Sequence, residues 1–281
     1  MELIKKIIKR IFRLVRVRSD INLFWTGKED VCPNFGDMIG PYLYTKITGR
    51  QPRLKKPSNF SITTTFLTVG SILSWCREDS VVWGSGIVFR DQAFPKPHSV
   101  HAVRGPLTRE RFLKQGYSCP SVYGDPALLL PLFFSPEGSS NYILGVVPHY
   151  VDKSQCELFI KASDDIQIID VFNEVEVVVE NILKCDYVIS SSLHGLIIAH
   201  AYGIKAHWVK FSDKLWGDDI KFLDHFRSLG LASDLQCDVI SKEMELDELL
   251  ELFRDSFQPP KDVVKSIQVG LVESCPFSSK S

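Results

Sequence analysis

The chain has 281 residues, 44% of them hydrophobic, and its 33 Lys and Arg against 34 Asp and Glu leave a formal net charge of −1. That balance excludes an intrinsically disordered chain, allows one large or two medium globular domains, and lacks the strongly basic footprint of a nucleic-acid-binding protein. The seven cysteines (Cys32, Cys76, Cys119, Cys156, Cys185, Cys237 and Cys275) are odd in number, scattered and without a C-x-x-C pair, as expected of reduced thiols in a cytoplasmic protein rather than a disulfide framework or zinc site.

Residues 1–19 depart from the balance. Ile4, Ile7, Ile8, Ile11, Leu14 and Val15 recur at helical spacing between Lys5, Lys6, Lys9, Arg10, Arg13 and Arg16, the pattern of a basic amphipathic helix. No apolar run reaches the roughly 20 residues of a membrane span. The expectation is a helix lying on an anionic membrane surface through residues 1–18, a peripheral attachment at the cytoplasmic face; packing against the body with a solvated basic face is the alternative.

Beyond Asp20, strand and helix signals alternate. Asn22–Trp25 reads as a strand, Asp37–Ile47 as a helix closed by Gly49, Thr65–Val69 and Val81–Trp83 as strands, Ser99–Val103 as a strand, and Leu107–Gln115 as a helix stopped by Gly116. Turn formers crowd Pro131–Asn141, and a new series follows: strand Tyr142–Val147, strand Ile166–Asp170, helix Val175–Leu183, strand Tyr187–Ile189, and a helix carrying His194 and stopped by Gly203. An amphipathic segment, Glu243–Phe257, precedes Pro259-Pro260 and a polar tail. The expected fold class is α/β, with two Rossmann-like domains facing a cleft, GT-B-like in plan. The expected divisions are 1–19, 20–138, 139–232 and 233–281. No internal repeat is visible.

Strand ends and helix starts line the clefts of such folds, so the loop motifs there are the candidate site. In VISSSLHGLIIAHAYGI (188–204) a strand runs through Ser191 and Ser192, either of which can be the N-cap, to Leu193 and His194 at the positive end of a helix dipole. This can hold an anion and move a proton; equally, the serines can merely cap and His194 can be a buried core histidine. NFGD places Asn34 and Asp37 at a strand-to-helix turn. Gly84, Ser85 and Gly86 permit close backbone approach to a ligand or form only a tight turn. Arg104, before the proline-started helix, is the leading anion clamp, whereas Arg109 and Arg111 are surface residues. Asp125, before Pro126, is a turn former or a cleft acid.

Taken in order, NFGD, GSG, VRGPLT, GDPALLLP, SSSLHGLIIAHAYGI and KFLDHFRSLGL resemble the bacterial polysaccharide pyruvyl transferases over roughly residues 20–232. The resemblance implies phosphoenolpyruvate as donor and co-substrate, with no cofactor or metal. It also implies a glycan acceptor, taken to be lipid-linked, and a pyruvate ketal on a capsule, exopolysaccharide or cell-wall glycan as product. It assigns Arg104, Leu193 and His194 to the donor pocket. Many members carry arginine immediately before the Leu-His pair, where this chain has Ser192; Lys210 or Lys214 is the expected substitute cation.

His194 is expected to transfer the proton, with Asp37 or Asp125 as an auxiliary carboxylate. The donor site would gather Arg104, Ser191, Ser192, Leu193, His194 and Lys210. The acceptor site would gather Asn34, Asp37, Gly84, Ser85 and Gly86. A GT-B nucleotide-sugar glycosyltransferase and a catalytically inactive, membrane-associated scaffold of a glycan assembly complex are the alternatives.

Overall fold

The computed structural model describes residues 21–26, 34–137, 140–231, 237–254 and 258–277. The basic segment 1–19 and Cys32 lie outside the described residues. The first sheet contains β1 (Asn22–Phe24), β2 (Arg53–Leu54), β3 (Thr65–Leu67), β4 (Ser80–Trp83) and β5 (Ser99–Ala102), all parallel, in the order β2-β1-β3-β4-β5. The second contains β6 (Tyr142–Val147), β7 (Ile166–Ile168), β8 (Cys185–Ser190), β9 (Lys205–Lys210) and β10 (Asp238–Val239), also parallel, in the order β10-β9-β8-β6-β7. Counted within its own half, each sheet has the order 2-1-3-4-5, one of the two common doubly wound orders. The repeat absent from the sequence is therefore present in the topology, and the α/β, two-sheet Rossmann-like expectation holds.

The helices are α1 (Phe35–Thr48), α2 (Pro106–Lys114), α3 (Lys153–Phe159), α4 (Val175–Leu183), α5 (Leu193–Tyr202), α6 (Ile220–Ser228), α7 (Leu246–Glu251) and α8 (Lys261–Glu273). Local chemistry explains their ends. Asn34 caps α1, accepting the Asp37 N–H at 3.3 Å, and Gly49 closes it at φ 72°. Gly203 closes α5 at φ 78°. Among the described residues of the amphipathic segment expected over 243–257, α7 is the helical part, where Glu245 and Glu248 form a capping box. The expected polar tail contains α8, which buries Val264, Gln268, Leu271 and Val272. Its stripe spans less than three turns and is interrupted by charged residues, so its periodicity is weak in the sequence.

Helix α8 returns to the first half. Trp83 Nε1 donates to the Leu271 carbonyl at 3.1 Å, Gln268 Nε2 donates to Leu128 O at 2.8 Å, and Phe277 packs edge-on to Tyr44 and Trp83. The halves also meet along α1 and α4, where Glu176 accepts from Tyr42 Oη at 2.6 Å and pairs with Lys46 at 2.9 Å.

The tightest junction joins α2 to α6. Asp224, fully buried on α6, accepts the Leu107 and Thr108 N–H groups at 2.8 and 3.1 Å, the Thr108 hydroxyl at 2.6 Å, and Arg104 Nε at 3.1 Å. It thus caps a helix of the other half and neutralises its buried arginine. Gly105 is required because a Cβ there would lie 2.1 Å from the Asp224 carbonyl. Breaking a buried charge pair from one side costs about 3–5 kcal/mol. Asp224→Ala and Arg104→Ala should each lower unfolding stability by about that amount in urea melts. A loss below about 1 kcal/mol would remove the junction's importance.

Candidate active site

A cavity of about 490 Å³ opens between the halves. Its lining follows from the strand orders. In each sheet the chain winds outward in opposite directions from the first strand and its third-numbered neighbour, leaving a crevice at their carboxyl ends. Thr26 follows β1 and Val69–Ile72 follow β3; His149 and Tyr150 follow β6, and Ser192–His194 follow β8. The two crevices face each other across one cavity.

His194 sits in the first turn of α5 and leans across to α1. A Cβ on Gly36 would lie 2.2 Å from His194 Nδ1, so only glycine lets the imidazole rest on the α1 backbone. Phe35 meets the ring edge-on, and Gly70 passes it on another side. Behind it, His194 Nε2 is buried without a hydrogen-bond partner, 3.8 Å from Asp125 Oδ2. That separation exceeds a hydrogen bond but permits charge interaction. Asp125 is fully buried and accepts the Gly70 and Ala127 N–H groups at 2.9 and 3.0 Å. It backs the histidine and does not line the cleft.

The serines divide the work of the β8–α5 turn. Ser190 Oγ, within 2.8 Å of Val147 O, accepts the Ser192 N–H at 3.0 Å, and Ser191 Oγ accepts the His149 N–H at 2.9 Å. Ser192 holds the N-cap position but its hydroxyl makes no capping bond; with Leu193, it lines the cleft. The first N–H groups of α5 have no intrahelical partners, as at any helix start, which makes this turn a ready anion site.

Across the cavity, Asp37 accepts hydrogen bonds from the Thr26 hydroxyl and from Asn34 Nδ2. Burial pushes its pKa up to about 6, against downward pulls from Thr26 and His194. Asn34 and Asp37 both line the cleft, as expected of the NFGD turn.

Three expectations are corrected. Arg104 does not clamp a ligand from the cleft: its guanidinium is fully buried, bonded to Asp224, Ser71 Oγ and Ile87 O. Gly84, Ser85 and Gly86 do not line the cavity. Cβ atoms at the two glycines would strike Pro126 and the Arg104 guanidinium, while buried Ser85 Oγ donates to Gly70 O. Their openness accommodates the protein's own side chains. Lys210 ends β9 and pairs with Asp219, holding the loop after β9 instead of lining the cleft.

That loop supplies what the sequence reading missed. It crosses to the first half, where Asp218 Oδ2 accepts the Arg90 N–H at 2.7 Å and Gly217, at φ 117°, packs against the Val88 carbonyl. It thereby delivers Trp216 and Lys221 to the cavity. Among the described residues lining the cavity, Lys221 is the sole Lys or Arg. Its ammonium donates to Trp216 O at 3.1 Å, and burial together with Arg104 pushes its pKa down to about 8. Its place at the head of KFLDHF was the available signal. His149 was also missed; burial, with the charges of Lys221 and His194, drops its pKa to about 3, so it is neutral at physiological pH. Among the described residues, no group of three or more His, Cys, Asp or Glu is arranged to hold a metal ion.

Two outcomes follow from this geometry. Gly36→Ala should displace His194 and lower activity at least tenfold while changing the melting temperature little; retained activity would show that the contact is dispensable. Because the folded state raises the Asp37 pKa from 3.8 to about 6, it binds a proton that the unfolded chain has released between those values. Stability from this group is therefore lost as pH rises from about 4 to 6, by at most about 3 kcal/mol. Urea melts of Asp37→Asn should lack that slope; an identical slope in both proteins would assign it to another group.

The sequence profile described as polysaccharide pyruvyl transferase matches residues 76–213, spanning Arg104, Asp125 and the Ser190–His194 turn. The chain is also 32% identical over 227 residues to "Uncharacterized protein L143" of Acanthamoeba polyphaga mimivirus, covering 76% of this chain and 78% of that protein. A solved structure, that of "functional uncharacterized protein KP1_0663" from Klebsiella pneumoniae, aligns with a TM-score of 0.42 at 9% identity, covering 86% of this chain and 98% of that one. With the ordered motifs gathered around one cleft, residues 76–213 carry a polysaccharide pyruvyl transferase domain.

Proposed function

We propose that the protein transfers a pyruvyl group from phosphoenolpyruvate to two hydroxyls of one sugar in a surface-polysaccharide repeat unit, forming a ketal and releasing phosphate. One observation carries this reading: His194, Asp37, the open first turn of α5 and Lys221 face a single cavity. The donor bears a phosphate and a carboxylate. The α5 amides, the Ser192 hydroxyl and Lys221 are suited to receive them, so Lys221 stands in for the arginine expected at position 192.

The reaction requires a proton on the donor's methylene carbon and removal of one from the attacking hydroxyl. Protonation leaves the adjacent carbon electron-poor; the sugar oxygen bonds to it as its proton passes to the base, phosphate departs with the C–O electron pair, and the second hydroxyl closes the ring, its proton leaving with the phosphate. Asp37, with a pKa of about 6, suits the acid role. His194, in the first turn of α5 with the Asp125 carboxylate 3.8 Å behind it, suits the base role. The aromatic rim offers flat apolar faces for a sugar: Trp216 is 62% exposed and edge-on to Phe89, while Tyr150 and Phe172 stand opposite with ring centroids 6.0 Å apart. Lipid linkage of the acceptor and cytoplasmic-face attachment through residues 1–18 belong to the same proposal.

The test incubates the protein with phosphoenolpyruvate and candidate glycan intermediates, measuring phosphate and product mass. A gain of one pyruvyl ketal is expected; nucleotide release from a nucleotide sugar instead would overturn the reading. His194→Ala should lower kcat by about 10²–10⁴-fold, the usual range for a general acid–base group. Lys221→Met should raise the donor KM roughly tenfold or more, the loss of one charge-assisted bond. Wild-type donor affinity should fall as pH rises through about 8, where Lys221 loses its proton, and Lys221→Met should not show that fall.

A further inference from the structure

Strand β1 lies between β2 and β3, so the connection joining those two must cross it, and residues 55–64 do so without a helix. Phe60 and Ile62 on this segment are 96% and 103% exposed. The backbone beneath them is well tethered. Lys55 Nζ donates to Thr63 O and Oγ1 at 3.1 and 2.9 Å, and the Ser58 N–H donates to Asp79 Oδ1 at 3.0 Å. Two large apolar side chains are thus held in water by an ordered loop, without covering the sheet they cross.

The surroundings specify the partner. Asn22 Nδ2 donates to Thr63 Oγ1 and Thr64 O at 3.3 and 3.1 Å, and the Arg53 N–H donates to Ile21 O at 2.9 Å. The basic sequence 1–20 therefore joins the folded body beside Ile62. Residues 1–20 and 50–63 together hold eleven of the chain's 33 Lys and Arg but only two of its 34 Asp and Glu. Apolar side chains beside Arg50 and Arg53, in a body that the basic sequence enters at Ile21, match an anionic bilayer, whose headgroups attract cations while its acyl boundary accepts the apolar groups.

We infer that residues 50–54 and 58–63 form a membrane-contact surface, with Phe60 and Ile62 entering the acyl boundary and Arg50 and Arg53 facing anionic headgroups. Asn22 and Thr65 begin their strands, so Ile62 and Thr63 lie at the strand-start end of the sheet. The cavity is at the opposite end, which leaves it open when the surface is occupied. This goes beyond the attachment proposed for residues 1–18, and the two ideas can fail separately.

The test is co-sedimentation of the full chain with phosphatidylcholine vesicles, with and without phosphatidylglycerol. Binding is expected only to the anionic vesicles. The double variant Phe60→Ser with Ile62→Ser should weaken it about tenfold or more while phosphate release is unchanged. Phe60→Trp should add emission that brominated lipids quench. A variant with Lys5, Lys6, Lys9 and Arg10 replaced by Gln tests the first segment: if it alone loses binding and the Ser variant binds as wild type, the loop proposal is overturned. A concentration-dependent dimer abolished by the Ser variant would also overturn it, giving the surface to a second copy.

Discussion

The buried contact between Arg104 and Asp224 is the constraint on which the rest of the molecule depends. It is both a charge pair and a helix cap, and its partners belong to different halves. A buried guanidinium is tolerable only if its charge and donors are satisfied. Asp224, Ser71 and Ile87 O meet that demand. The same requirement sets the surrounding glycines, because α6 can approach only where Gly105 has no side chain and Arg104 fits only beneath Gly86. Lys221 lies one turn before Asp224, so the junction also fixes the approach of the cavity's cation.

From that junction the cavity follows through topology. Each doubly wound sheet has its own crevice, and clamping the sheets together makes one cavity from two. His194 shows the consequence: its helix belongs to the second half, yet Gly36 and Asp125 of the first half fix its ring. Neither half alone could position the His194 ring. The loop from β9 to α6 has a similar dependence, since Val88 and Arg90 of the first half anchor the segment that carries Trp216.

Much of the plan was legible before any coordinates. Short apolar, β-branched runs and Gly stops located most strands and several helices to within a residue or two, because strand and cap preferences are local. Strand β9 and helix α8 were harder. Lys205, His207 and Lys210 interrupt the apolar pattern of β9, and the stripe of α8 acquires meaning only against Trp83 and Phe277. In the site, Asn34, Asp37, Ser192, Leu193 and His194 line the cavity as expected. Arg104, Gly84, Ser85, Gly86, Asp125, Ser191 and Lys210 do not, although their motifs lie beside it.

The sequence by itself determined the α/β class, the two-part organisation, the family resemblance and the turn that carries His194, since each rests on local pattern or motif order. Tertiary structure decided which way the side chains in those motifs face. An arginine at a strand end can bind a ligand or a distant aspartate, and a glycine pair can admit a substrate or a neighbouring guanidinium. Local sequence is the same in either case. Here Asp224, 120 residues away, took the arginine into the protein interior and left Lys221 to meet the cavity.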